Sequence, residues 1–212
     1  AAALATMTDK SVSHPPLELL FTVDEETGLG GALNLDAGLL TGTRMLNLDT
    51  EDWNELYIGC AGGGGWQFTR EFDTVAEGDE ELWQLSLKGL SGGHSGIQIH
   101  EQLGNAIKLL GQLLYGIRGA RLVSIDAGVA HNVIPREGTA VIAAPSGSEA
   151  TLREHLAKLR AQWLGFLPPA DHELALTLAP AEGGLGLSRT DSLAVLGLVA
   201  AFPHGVQAYN LA

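Results

Sequence analysis

Cysteine is all but missing from this chain: Cys60 stands alone in 212 residues. No disulfide can form within the chain, and such usage suits a reducing cytoplasm. Basic residues are scarce too, with 12 Lys and Arg against 25 Asp and Glu and a net charge of -13. A chain so acidic repels phosphate backbones, which sets nucleic acid aside as a partner. No apolar run reaches the length of a membrane-crossing helix, and nothing near the first residue reads as a signal peptide. Low-complexity tracts are absent as well, and the 45% apolar content suits a soluble chain with one good core or two small ones. Terminal signatures are also wanting. Ala1 to Met7 reads as the end of an Ala-rich helix with no initiator methionine and no cap, and Phe202 to Ala212 stops without a terminal motif. The expectation is an internal stretch of a longer protein.

What is present falls into two rhythms. Leu17–Val23, Met45–Leu48 and Leu56–Cys60 are short apolar runs that read as buried strands, with Cys60 an inert buried thiol in the third. Separated by Gly-rich or helical segments, they suggest α/β architecture, in which sites gather at the C-terminal ends of strands. Gly62–Gly65 lacks the Lys-Ser/Thr partner of a phosphate loop and reads as a hinge. Beyond it, Leu82–Leu90 alternates, with Trp83, Leu85 and Leu87 on one face. Leu103, Ile107, Leu110 and Leu114 mark a helix, and Ala120–Ala127 and Thr139–Ala144 read as strands. Thr151–Phe166 is an amphipathic helix with Leu152, Leu156, Leu159 and Trp163 on one side, and His172–Leu178 alternates again. The order β-α-β-β-α-β over about 82–180 is the ferredoxin-like plan. A last helix spans Asp191–Phe202, capped by Thr190 or Asp191. The expected division is a partial α/β domain over 1–66 and an α+β module over 67–212.

Three acids, Asp24, Glu25 and Glu26, follow the first apolar run directly. Hydrolytic metal sites need hard oxygen or imidazole ligands and a carboxylate that deprotonates water. Adjacent glutamates can divide those tasks, and Asp49, at the end of the second run, can serve a second metal. An acidic pair after a strand is also an ordinary solvated loop, and the chain has no His-x-Asp or His-Glu-x-x-His to complete a ligand set.

The segment Thr22-Val-Asp-Glu-Glu-Thr-Gly28 resembles the Glu-Glu element of the co-catalytic zinc peptidases, the family of carnosinases, tripeptidases and glutamate-releasing carboxypeptidases. Three later segments are similar in the same order: Leu46-Asn-Leu-Asp49, Gly92-Gly-His-Ser-Gly96 and His131-Asn-Val-Ile-Pro135. Tyr57-Ile-Gly-Cys-Ala-Gly-Gly63 and Leu87-Lys-Gly-Leu-Ser-Gly-Gly-His-Ser-Gly96 look most like aminoacyl-histidine dipeptidases. The resemblance implies part of a zinc-peptidase catalytic domain followed by a ferredoxin-like lid and dimerisation domain. It implies Glu25 as the general base, Glu26 as ligand to one zinc and Asp49 to the other, with cobalt or manganese as substitutes. His94 would stabilise an oxyanion, in its own or the partner subunit, and Asn132 would hold substrate. Arg136 would meet the substrate carboxylate, without support from a motif.

The departures are informative. The family's first metal-binding histidine, its bridging aspartate and its late histidine have no counterpart, and Val141-Ile-Ala-Ala-Pro145 stands where the lid arginine belongs. The expected activity is cleavage of small peptides with a C-terminal histidine by a cytoplasmic homodimer joined through the lid, with the 212-residue chain inactive by itself. A tripeptidase or acyl-amino-acid carboxypeptidase of the same superfamily is the nearest alternative. A non-catalytic dimerisation or binding module is the other. His14, His155, His172 and His204 read as surface residues, and His100 and His131 as packing or capping ones.

Overall fold

Alternation in the sequence becomes a sheet in the computed structural model, which describes residues 2–50, 52–60, 62–76 and 79–208. The chain divides into two units, Ala1–Trp66 and Gln67–Ala212. In the second, β2 (Glu80–Lys88), β4 (Arg121–Ala127), β6 (Gly138–Pro145) and β7 (Ala175–Pro180) form a four-stranded sheet in the order β4-β6-β2-β7. Every neighbouring pair is antiparallel. Helix α3 (Ala106–Tyr115) connects β2 to β4, and α4 (Glu149–Leu164) connects β6 to β7. Each crossover skips one strand, which is the split βαβ pairing of the ferredoxin-like fold.

The core follows from side-chain period. Trp83, Leu85 and Leu87 alternate along β2 and are buried, as are Ala140, Ile142 and Ala144 on β6. Register sets Leu85 between Ala140 and Leu178. Leu110, Leu113 and Leu114 of α3 and Leu152, Leu156 and Trp163 of α4 close over that face. Asn105 caps α3, its Oδ1 accepting from the Ile107 and Lys108 N–H groups at 2.9 and 3.2 Å.

Helix α5 (Arg189–Ala201) returns to pack on α3. Its cap is Ser188 rather than Thr190 or Asp191: the Ser188 Oγ accepts from the Asp191 N–H at 3.1 Å and donates to Asp191 Oδ2 at 2.7 Å. The helices approach closely at Gly111, where a Cβ would come within 2.6 Å of Val199 Cγ1. Lys108 reaches from α3 to the far end of α5, donating to the carbonyls of Val199, Ala200 and Phe202. Two short strands, β1 (Thr74–Val75) and β8 (Gly186–Leu187), pair beside β4.

The first unit differs from its expectation. Its regular elements among the described residues are α1 (Ala2–Thr8) and α2 (Gly30–Leu33). Leu17–Val23, Met45–Leu48 and Leu56–Cys60 are unpaired there, and Val23, Met45, Leu46 and Ile58 are exposed, as is Cys60. A strand exists only with a neighbour to accept its ladder, and an apolar run does not name that neighbour. Ala61, within the Tyr57–Gly63 segment, and residues 209–212 lie outside the described residues. Of the histidines, His155 is half-buried, with Nε2 3.0 Å from the Leu113 carbonyl oxygen, whereas His100 and His131 are exposed.

Candidate functional site

Two stretches distant in sequence meet in a short ribbon of the second unit, formed by β3 (Gly93–His94) and β5 (Val133–Ile134). Gly93 pairs with Ile134 and His94 with Val133, antiparallel. The Ser95 N–H extends the pairing by donating to the Asn132 carbonyl at 2.8 Å. The Gly92–Gly96 and His131–Pro135 segments therefore hold one another in place. Their glycines answer to close approaches. Gly92 has φ +67°, and a Cβ there would lie 3.1 Å from Arg136 Cβ and 3.2 Å from the Ile134 carbonyl oxygen. A Cβ on Gly96 would lie 2.9 Å from His94 Cε1 and 3.1 Å from Nδ1, so the imidazole rests against bare backbone.

His94 is exposed, yet its ring is not free to choose a tautomer. Its backbone N–H donates to Gln98 Oε1 at 2.9 Å, and its Nδ1 accepts from the Gly96 N–H at 3.1 Å. In a neutral ring the proton is then on Nε2. A donor at Nε2 is what stabilising an oxyanion requires.

The ribbon borders a cavity of about 600 Å³ lined by His94, Arg136, Lys88, Asp126 and Glu137 among others. That volume lies within the range of small-molecule sites. Among the described residues no ion pair or side-chain hydrogen bond occupies Lys88, Asp126, Arg136 or Glu137, so both signs of charge face the opening unengaged. His94 and Arg136 thus share one cavity, while Asn132 is half-buried in the adjoining ribbon.

The acids of the first unit sit on a turn with a defined backbone. The Gly28 and Leu29 N–H groups both donate to the Glu25 carbonyl at 3.1 Å, and the Gly31 N–H to the Val23 carbonyl at 3.0 Å. Asp24 and Leu29 take φ of 58° and 62°, uncommon for non-glycine residues. Gly31 closes the turn, since a Cβ there would fall 2.6 Å from the Val23 nitrogen. Glu25, Glu26 and Asp49 are all exposed. Asp49 is held by its own N–H, which donates to Asn47 Oδ1 at 3.0 Å. Among the described residues no group of three or more His, Cys, Asp or Glu is placed to hold a metal ion. A catalytic zinc takes three protein ligands, so the residues described do not fit such an ion by themselves.

One residue was missed in the sequence. Asp171 is fully buried in the turn Pro169–Asp171. Its Oδ1 accepts from the Ser91 N–H at 2.7 Å and the Ser91 hydroxyl at 2.6 Å, and its Oδ2 from the Gly104 N–H at 2.6 Å. Backbone donors leave no mark in a sequence, and the only signal was an acid set among Leu167, Pro168, Pro169 and Leu174.

Residues 85–165 match the peptidase dimerisation domain of the M20 peptidases. Over 147 residues, 68% of the chain, the sequence is 44% identical to the cytosol non-specific dipeptidase of Escherichia coli (strain K12), covering 30% of that protein. The crystal structure of aminoacylhistidine dipeptidase from Vibrio alginolyticus matches with a TM-score of 0.73 at 32% identity, covering 99% of this chain and 44% of that one. The chain therefore spans less than half the length of either relative. Its dimerisation domain, together with these two likenesses, makes it a member of the M20 peptidase family.

Proposed function

We propose that these residues serve a metal-dependent dipeptidase of cytosolic habit whose substrates include dipeptides with a C-terminal histidine. The observation that carries the reading is the cavity in which His94, with its donor at Nε2, and Arg136 sit together. The two relatives bear the names non-specific dipeptidase and aminoacylhistidine dipeptidase, and both names lie within the substrate class proposed. M20 peptidases are in general metal-dependent.

In this reading Glu25 takes the proton from the attacking water. His94 donates from Nε2 to the oxygen that gains charge, and because that charge exists only in the transition state the bond favours reaction over binding. Arg136 meets the substrate carboxylate and Asn132 holds the peptide beside it. Glu26 and Asp49 are the carboxylates contributed toward two zinc ions, the further ligands coming from residues outside these 212. The lid unit joins two subunits as a homodimer, and the 212-residue chain alone does not turn over substrate.

The test is an assay of the longer open reading frame that contains this chain. β-Alanyl-histidine, other dipeptides, tripeptides and acyl-glutamates are offered with and without a chelator. Chelator-sensitive cleavage of dipeptides, with the Xaa-His substrate among them, is expected. Cleavage confined to tripeptides or acyl-glutamates would give the activity to another branch of the superfamily, and no cleavage at all would leave a binding module.

A further inference from the structure

We infer that Asp171 is a positioning residue for His94, clamping with one carboxylate both ends of the loop that carries it. The loop leaves β2 after Lys88 and enters α3 at its cap, Asn105, so Ser91 lies three residues past the strand and Gly104 directly before the cap. Between these ends its ordered parts are the two-residue strand Gly93–His94 and the turn Ile99–Glu101. Such a loop has little ladder to fix it, and a group that must meet a reacting atom needs its supports fixed to a fraction of an ångström.

Asp171 supplies that support from a distant part of the chain. One oxygen takes both donors of Ser91 and the other takes the Gly104 N–H, all at 2.6–2.7 Å. Gly104 has no room for a side chain: a Cβ would lie 2.8 Å from Leu90 Cδ2, 3.1 Å from Asp171 Oδ2 and 3.2 Å from Leu167 Cδ2. The carboxylate is itself held on a tight turn, its N–H donating to the Pro168 carbonyl at 2.9 Å and its carbonyl accepting from the Leu174 N–H at 3.1 Å. Among the described residues it forms no ion pair. With no cation to offset its burial, the carboxylate rests on these three donors, and an apolar side chain would leave the Ser91 and Gly104 N–H groups without that acceptor. What the carboxylate does supply is geometry: two oxygens of one rigid group fix the separation of Ser91 and Gly104.

The effect passes to His94 through short steps. Ser91 leads directly into Gly92, which lies under the Arg136 stem, and then into the Gly93–His94 strand. The Gly96 N–H that fixes the His94 tautomer belongs to the same loop. In Asp171→Asn the amide nitrogen faces N–H donors at one end of the loop, so that end is released while the side-chain shape is kept.

The first arm of the test uses the 212-residue chain and reads the His94 ring nitrogens by NMR at about pH 8.5, where imidazoles in general are neutral. The expected result is a well-separated Nδ1 and Nε2 pair in the native chain. In Asp171→Asn that separation narrows toward the tautomer average, while the methyl signals of Leu85 and Leu110 in the core stay put. A folded variant with unchanged His94 signals would overturn the inference. If Asp171→Asn does not fold, Ser91→Ala replaces it, since it removes one hydroxyl bond and leaves both backbone bonds; a smaller narrowing is expected, and none would again overturn the inference. A second arm rests on the dipeptidase reading: in the longer protein, Asp171→Asn should lower kcat by about 10²-fold with KM little changed, the effect of a misplacement near 1 Å. Loss confined to KM would contradict a role through His94. If the longer protein cleaves no dipeptide, that reading fails alone, because the NMR arm still decides Asp171.

Discussion

Glu80→Gln should be among the most damaging single changes of charge in this chain. Glu80 opens β2 and Arg121 opens β4, and their side chains are 8% and 2% exposed. The Arg121 Nε lies 3.1 and 3.2 Å from the two carboxylate oxygens, and its Nη2 donates to Oε2 at 2.5 Å. Its Nη1 donates to the carbonyls of Val75 and Leu187 at 2.9 and 3.1 Å. One guanidinium thus fastens the β1–β8 pair to the main sheet. Glutamine keeps the shape and removes the charge that faces both the buried Arg121 and, at 3.8 Å, the more exposed Arg189. Breaking such a pair costs about 3–5 kcal/mol, a large part of the roughly 5–15 kcal/mol that stabilises a domain. At a slope of about 1–3 kcal/mol per molar urea the midpoint should fall by at least ~1 M, read by the fluorescence of buried Trp83 and Trp163. Replacing both partners, Glu80→Gln with Arg121→Met, should cost less than the two single changes added together. The pH dependence has a definite sign. Hydrogen bonds from Arg121 hold the Glu80 carboxyl below the usual glutamate range, against the opposing effect of burial. Its contribution is therefore complete above the unfolded value near 4.3 and is lost as pH falls through the folded value. The gap between native chain and variant should be constant at neutral pH and close on acidification. A loss under about 1 kcal/mol at pH 7, the range of exposed pairs, or a gap that persists in acid, would refute the reasoning.

Gly96→Ala should displace the His94 ring, since the new methyl would stand 2.9 Å from Cε1; the ring-nitrogen signature should change while urea stability moves by less than about 1 kcal/mol. Gly111→Ala sets a helix gain of about 1 kcal/mol against a 2.6 Å approach to Val199 Cγ1. Overpacking of about 1–3 kcal/mol should win, so a rise in the urea midpoint would show that α5 yields freely. In the longer protein, Glu25→Gln should lower kcat by roughly 10²–10⁴ with metal content intact. Glu26→Ala and Asp49→Ala should instead lower metal content by elemental analysis, and full occupancy in both would place the ions elsewhere.

The second unit was legible because its signals are periodic. Trp83, Leu85 and Leu87 can share a face only in a strand, and a slip of one residue would turn all three outward. Leu152, Leu156 and Trp163 fall together only on a helix. The cap of α5 was read two or three residues late because Ser188, Thr190 and Asp191 are all capping types in close succession. Side-chain type cannot order them. The geometry does, with Ser188 outside the helix and Asp191 answering it across the first turn.

The candidate site was legible in a different degree. The Gly92–Gly96 segment stood out in the sequence only by its resemblance to a family motif, whereas in the fold Gly92, Gly93 and Gly96 each have a neighbour that a Cβ would crowd. The sequence could not say that the neighbours are Arg136, Leu103 and the His94 ring itself, because contact partners are a property of the fold. Asp171 was harder still, its partners being the Ser91 N–H and hydroxyl and a bare N–H, 80 and 67 positions earlier. The first unit marks the limit of such reading. Hydrophobicity in Leu17–Val23 or Met45–Leu48 states that burial is favourable, at about 25 cal/mol per Å², and leaves unsaid what provides it. In the second unit the covering helices lie within the same stretch of chain, between the strands they cover. That is why the second unit could be folded on paper and the first could only be matched by its motifs.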